Sequence, residues 1–165
     1  MKFEHHIDRA FKELSILPRK GQREAVSMVL EQFFDLGKKN VVLSADTGTG
    51  KSIIAAVIAK CFGYIEPHNL TAFTLMQNNA LVGQYADTFG KYDNRQFFQI
   101  KGASNYPCEA LQVLTNDVNV NAESCAFDSL PEPSKLKFCG NCEFKRSRAL
   151  RNETQNLITN YSYYF

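Results

Sequence analysis

The sequence predicts an α/β fold built on a parallel sheet, and three observations carry that expectation. A glycine-bearing loop, Ser44-Ala45-Asp46-Thr47-Gly48-Thr49-Gly50-Lys51-Ser52, separates an apolar strand candidate from an apolar helix candidate. Strand-like and helix-like segments then alternate as far as Ile100, the pattern that right-handed crossovers impose on a parallel sheet. Beyond Lys101 the periodicity breaks, and a stretch rich in Asn, Ser and Pro carries four cysteines before helical spacing returns at Glu143.

The elements follow in chain order. Ile7, Ala10, Phe11 and Leu14 recur at helical spacing, so residues 5–16 read as a short amphipathic helix. His5 and His6 inside it are adjacent rather than one turn apart, which suits a solvated helix start better than a metal site. Leu17-Pro18 breaks the helix, because a residue before proline is pushed out of the helical region. Gln22 to Leu36 is a second helix with Val26, Val29, Leu30 and Phe33 as its stripe, and Gly37 ends it. Val41-Val42-Leu43 is the strand before the loop, and Lys51 to about Phe62 is the helix after it. Gly63 and Pro67 punctuate a connection. Leu70 to Met76 reads as a strand, Asn79 to Phe89 as a helix and Gln96 to Ile100 as a strand. Within the cysteine stretch only Ala110 to Leu114 is periodic; a basic helix starts at Glu143 and a short strand spans Asn156 to Thr159.

Composition sets limits. A chain of 165 residues is one domain's worth, with 44% hydrophobic and 22% charged residues as in ordinary soluble proteins. The net charge of +2 is too small to argue for nucleic acid, so any basic surface must come from local clustering. No apolar run reaches the length of a membrane span, and Met1-Lys2-Phe3-Glu4 opens no signal peptide. Five cysteines, an odd number, argue against a secreted disulfide framework and for an intracellular address, cytoplasmic or nucleoid/nuclear.

The loop has the chemistry of a phosphate cradle. Glycines at 48 and 50 let the backbone turn its N–H groups onto phosphate oxygens, and the following helix adds its positive end. Lys51 reaches the β- and γ-phosphates and the Ser52 hydroxyl takes one Mg²⁺ position, which makes them the candidate catalytic residues. Gln22 and Ala45, Asp46, Thr47, Gly48, Thr49, Gly50, Lys51 and Ser52 form the candidate nucleotide site.

Cys108, Cys125, Cys139 and Cys142 follow a C-x16-C-x13-C-x2-C pattern in the segment that lacks core-forming periodicity. A metal centre can staple such a segment. The tight Cys139-Gly140-Asn141-Cys142 pair has knuckle geometry, while the other two are single; spacing leaves zinc and an iron–sulfur cluster both open. Cys61, on the apolar side of its helix, reads as an ordinary buried cysteine.

Together these stretches resemble the N-terminal part of the XPD/DinG family of iron–sulfur, superfamily-2 DNA helicases. Ala45 to Ser52 matches the Ala-x-Thr-Gly-x-Gly-Lys-Ser form of the loop in superfamily-2 helicases and translocases, with Ala45 where the general pattern has Gly. Arg19-Lys20-Gly21-Gln22 looks like the adenine-reading Gln element, and Thr74-Leu75-Met76 through Leu81 to Gln84-Tyr85 looks like motif Ia. Lys101-Gly102-Ala103-Ser104-Asn105-Tyr106-Pro107-Cys108 looks like the lead-in to the first cluster ligand, with Ala103 in place of the usual Arg. Cys139 to Cys142, the basic helix and Ile158-Thr159-Asn160-Tyr161 resemble the exit.

The resemblance implies a RecA-like P-loop motor domain, first part over 1–100, a small cysteine-rich iron–sulfur insertion over 101–142, and a return to the motor domain over 143–165. ATP, Mg²⁺ and a [4Fe-4S] cluster are the implied cofactors, and single-stranded or forked DNA the implied partner. No Asp-Glu pair follows an apolar strand, so the chain reads as the front part of a larger motor, inactive by itself, whose Asp-Glu-x-His element and second motor domain lie elsewhere. Gln84, Lys101, Tyr106, Lys145 and Arg146 are the candidate DNA contacts, with Lys135, Lys137, Arg148 and Arg151 adding charge and Tyr106 and Phe138 as stacking platforms. Two other readings compete: a non-motor nucleotide-binding scaffold or regulatory protein with a structural zinc site, and a P-loop kinase, which would more often begin its loop with Gly and carry an Arg-rich lid.

Overall fold

The computed structural model describes residues 2–66, 72–90, 97–125, 138–151, 154 and 156–160. Three helices come first: α1 (Glu4–Glu13), α2 (Gln22–Phe34) and α3 (Lys51–Ile65). β1 (Ala72–Met76), α4 (Asn79–Phe89) and β2 (Phe97–Gln99) follow, then α5 (Glu109–Thr115), α6 (Glu143–Arg151) and β3 (Asn156–Asn160). Short 3-10 turns stand at Ala103–Asn105, Ala122–Ser124 and Cys139–Asn141.

The three strands form one parallel sheet in the order β1-β3-β2. β3 comes last in the chain but lies in the centre, its Leu157, Ile158 and Thr159 all buried. Its central place explains its apolar character, since both faces of a parallel sheet are covered. The expected α/β class with a parallel sheet is therefore what the chain adopts.

The core gathers beneath α1, α2 and α3. Ile7, Ala10, Phe11 and Leu14 from α1 and its end meet Val26 and Leu30 of α2 and Ile54, Ala56 and Val57 of α3. Val82, Tyr85 and Phe89 of α4 join them, and Phe89 packs its ring 6.0 Å from that of Phe97 on β2. The α1 stripe is thus the one its spacing predicts, although the helix ends at Glu13, three residues short of the expected limit. Ser15 adopts a left-handed φ of 53° there, before Leu17-Pro18.

The strand expected at Val41-Val42-Leu43 does not form: residues 40–46 have no ladder partner among the described residues, and Val42 is 94% exposed. A segment without a neighbouring strand leaves its backbone groups to water, and apolar composition by itself does not make it a strand. α3 runs one turn past the expected Phe62, through Gly63, because its apolar face continues to Tyr64 and Ile65. Leu70, Gln96, Lys135, Lys137 and Tyr161 lie outside the described residues.

Candidate nucleotide site and cysteine cavity

The loop of residues 45–52 is a turn held by its own carbonyls. Gly48 and Gly50 have φ values of 86° and 81°, the left-handed region that glycine enters without steric cost. The Thr49 hydroxyl donates to the Asp46 carbonyl at 2.8 Å, and Gly50 opens α3 by accepting from the Ile53 and Ile54 amides. Lys51 Nζ donates to the Ala45 and Asp46 carbonyls at 3.0 and 2.9 Å. The ammonium therefore sits over the loop on neutral carbonyls, and a phosphate oxygen would attract it more strongly because it carries a full negative charge.

A second layer braces this loop from α2. Gln22 is 2% exposed, and its side-chain amide is engaged at both ends. Oε1 accepts from the Arg19 amide at 2.9 Å, and Nε2 donates to the Thr49 carbonyl at 2.9 Å. Arg19 adds a guanidinium bond to the Gly48 carbonyl at 3.1 Å. The Arg19-to-Gln22 element thus meets the phosphate loop, as its resemblance implies, but its amide is turned to the loop's backbone rather than to open space. A Cβ at Gly50 would stand 2.4 Å from Gln22 Nε2, so a side chain there would push the Gln22 amide away from its bond to the loop, in addition to the strain of the positive φ. Ser52 is exposed at the start of α3, and its carbonyl accepts from the Tyr85 hydroxyl of α4 at 3.3 Å.

Further along α3 lies a partly buried charge cluster that the sequence reading missed. Lys60 of α3 is buried, with Nζ 2.8 Å from Glu13 Oε2 at the end of α1. Glu13 also accepts from the Tyr64 hydroxyl and, through Oε1, from Arg9 Nε at 2.8 Å. Burial alone would raise the Glu13 carboxyl, but donation from Lys60, Tyr64 and Arg9 outweighs it and holds the pKa at about 2. Burial, then the bond to Glu13, pushes the Tyr64 phenol up. The one available signal was a lysine inside the apolar run Ala59-Lys60-Cys61.

The four cysteines of the irregular stretch come to one place. Cys108, Cys125, Cys139 and Cys142 all line a cavity of about 470 Å³, together with Phe138 and Arg146. Burial first, then a hydrogen bond with Cys108 and the nearby Cys139 and Cys142 sulfurs, pushes the Cys125 thiol up to about 11. Among the described residues no three His, Cys, Asp or Glu side chains form a group that could hold a metal ion. Cys61 is fully buried in the main core, and burial pushes its thiol up to about 12, which keeps it an inert apolar filler.

The candidate DNA contacts divide. Lys101, Tyr106 and Arg146 line a groove of about 720 Å³ between α4, β2 and α6, and Lys145 and Gln84 are exposed on α6 and α4. Tyr106 is not a stacking platform: it is 6% exposed, its ring packs 5.6 Å from that of Phe144, and its hydroxyl accepts from the Lys101 amide. A base needs an open ring face, and this one is covered. Arg148 is likewise engaged, its guanidinium 5.8 Å over the Phe144 ring.

A family model described as type III restriction enzyme, res subunit, matches residues 15–136. That span contains the Arg19-to-Gln22 element, the whole phosphate loop and the first two cysteines of the cavity. No curated protein and no solved structure matches the chain.

Proposed function

The chain belongs to the type III restriction enzyme res-subunit family, and from that premise we propose that it is the ATP-binding part of an ATP-dependent DNA helicase of the XPD/DinG, iron–sulfur type. The family makes it a superfamily-2, helicase-type nucleotide-binding protein that uses ATP and Mg²⁺. The observation that carries the reading is the braced loop: two left-handed glycines, an ammonium above them and a buried glutamine behind them.

Within that reading the residues divide the work. Backbone amides at 48–52 and the start of α3 receive the phosphates, Lys51 neutralises their charge, and Ser52 would hold Mg²⁺. Gln22 and Arg19 keep the loop in shape. In the complete protein, hydrolysis is coupled to translocation along one DNA strand and to duplex unwinding. Residues 1–100 and 143–165 then belong to the motor domain, and 101–142 to the inserted cysteine-rich unit.

We assign the cysteine cavity to a cluster rather than to a single ion. Zinc draws four sulfurs to about 2.3 Å from one point. Here the four cysteines line one cavity, and the choice of a four-iron cluster over zinc rests on the resemblance to iron–sulfur helicases. Bound there, the cluster would supply rigidity, tying α5, the 139–141 turn and the start of α6 together through Cys108, Cys125, Cys139 and Cys142. The DNA strand is assigned to the neighbouring groove, held by Lys101 and Arg146 with Lys145 and Gln84 at its margins.

Anaerobic purification tests this directly. Brown protein with broad absorbance at about 400 nm, as expected of iron–sulfur charge transfer, and about four irons per chain supports the proposal. Colourless protein with stoichiometric zinc overturns it in favour of the non-motor scaffold with a structural zinc site.

A further inference from the structure

The three parallel strands end on the same side of the sheet, and three asparagines are joined there. Asn160, the last residue of β3, donates Nδ2 to Asn79 Oδ1 at 2.6 Å. Asn79, the first residue of α4, donates its own Nδ2 to Asn105 Oδ1 at 2.9 Å. Asn105 closes the turn that follows β2, its Nδ2 lying 3.3 Å from the Gly102 carbonyl and its backbone amide 3.0 Å from the same oxygen. Each loop comes from a different strand, and the C-terminal ends of parallel strands are where such sheets take their ligands.

Asn105 also lines the groove, together with Lys101, Arg146, Asp87 and Glu143. The turn it closes carries Lys101 at its start and Tyr106 at its end, and the Tyr106 hydroxyl accepts from the Lys101 amide at 3.2 Å. The placement of that lysine thus depends on the turn, and the Asn79 side chain ties the turn to the sheet in addition to the bond from the Ile100 amide to the Ile158 carbonyl.

We propose that Asn79 is a positioning residue for nucleic-acid binding: by joining Asn160 to Asn105 it fixes the 101–106 wall of the groove against the end of the central strand. The inference rests on the reading that this groove takes a single strand. Asn79 touches no ligand itself. It removes freedom from the turn that presents Lys101, so the cost of ordering that turn is met before the strand arrives. Its neighbour Asn78 caps α4 by accepting from the Leu81 amide, so Asn79 is not needed to start the helix.

The test uses the full chain, a labelled oligothymidylate, a fluorescent ATP analogue and amide hydrogen exchange. Asn79→Ala is expected to weaken the oligonucleotide about fivefold, to speed exchange across residues 102–106 and to leave ATP-analogue affinity unchanged. Asn79→Asp retains the acceptor for Asn160 but loses the donor to Asn105, whose amide oxygen would then face a carboxylate; it is expected to speed exchange across residues 102–106 and weaken the oligonucleotide at least as much as Asn79→Ala, again with ATP-analogue affinity unchanged. Wild-type affinity and exchange in Asn79→Ala overturn the positioning role while leaving the strand assignment standing. Equal loss of oligonucleotide and ATP analogue shows a merely structural asparagine and overturns it as well. Wild-type protein that binds no oligonucleotide overturns the strand assignment and the groove role of Asn79 together.

Discussion

Gln22 Nε2 donates to the Thr49 carbonyl at 2.9 Å, across 27 residues of chain, and Gly50 leaves the space for that bond. The side chain that opens α2 is thereby a strut under the phosphate loop. Its other amide atom accepts from Arg19, so both ends of the side chain are held by the protein itself.

Gln22→Ala is therefore expected to weaken ATP and GTP alike, by about fivefold, since a typical buried hydrogen bond contributes about 1 kcal/mol. Gly50→Ala should be worse, because it combines a Cβ 2.4 Å from Gln22 Nε2 with a φ of 81°. Calorimetric titration with both nucleotides checks this. A Gln22→Ala protein that loses only its preference for adenine would show that the amide reads the base instead.

Lys51→Ala should weaken ATP at least tenfold. The ammonium that now rests on the Ala45 and Asp46 carbonyls would form charge-assisted bonds to phosphate, each worth about 1.5–3 kcal/mol. AMP, which lacks the β- and γ-phosphates, should lose much less. Equal ATP affinity in the two proteins would remove the loop from the nucleotide site.

Ser substitutions at Cys108, Cys125, Cys139 and Cys142 should each lower bound iron and expose the cysteine region to protease, because each removes one wall of the same cavity. Cys61→Ser should keep its iron and lose stability instead, by about 1–3 kcal/mol for an unpaired hydroxyl in a fully buried site. Iron content by mass spectrometry separates the two groups. Comparable iron loss from Cys61→Ser and Cys139→Ser would mean a wrong ligand set.

Much of this arrangement was legible because it is local. The spacing of Ile7, Ala10, Phe11 and Leu14, the boundaries of α4 and the start of α6 each follow from neighbours a few residues away. What escaped depends on pairing between distant segments. Val41 to Leu43 has a strand's composition, but a strand is defined by its partner, and none stands beside it among the described residues. Tyr106 reads as an open aromatic beside basic residues until Phe144, far along the chain, covers its ring. The Asn79 junction was hidden for the same reason, since asparagine is an unremarkable residue at a helix start or strand end.

Lys60 and Glu13 give the stability of the chain a pH signature. Lys60 is 1% exposed on its side chain, so removing the Glu13 carboxylate takes the counter-charge from a buried ammonium. Glu13→Gln should cost about 3 kcal/mol, the low end for breaking a buried pair, because Glu13 itself is 32% exposed. Pairing it with Lys60→Met should recover most of the loss. The Glu13 carboxyl lies at about 2 in the folded chain against an ordinary 4.5, a depressed value. Its stabilisation is therefore complete above about 4.5 and disappears as pH falls from there through about 2. Urea unfolding at pH 7, 4.5 and 3 should show wild type losing stability between pH 4.5 and 3 more steeply than Glu13→Gln/Lys60→Met, with little difference between pH 7 and 4.5. Parallel profiles would show that the cluster holds α1 to α3 without drawing on the ionised carboxylate.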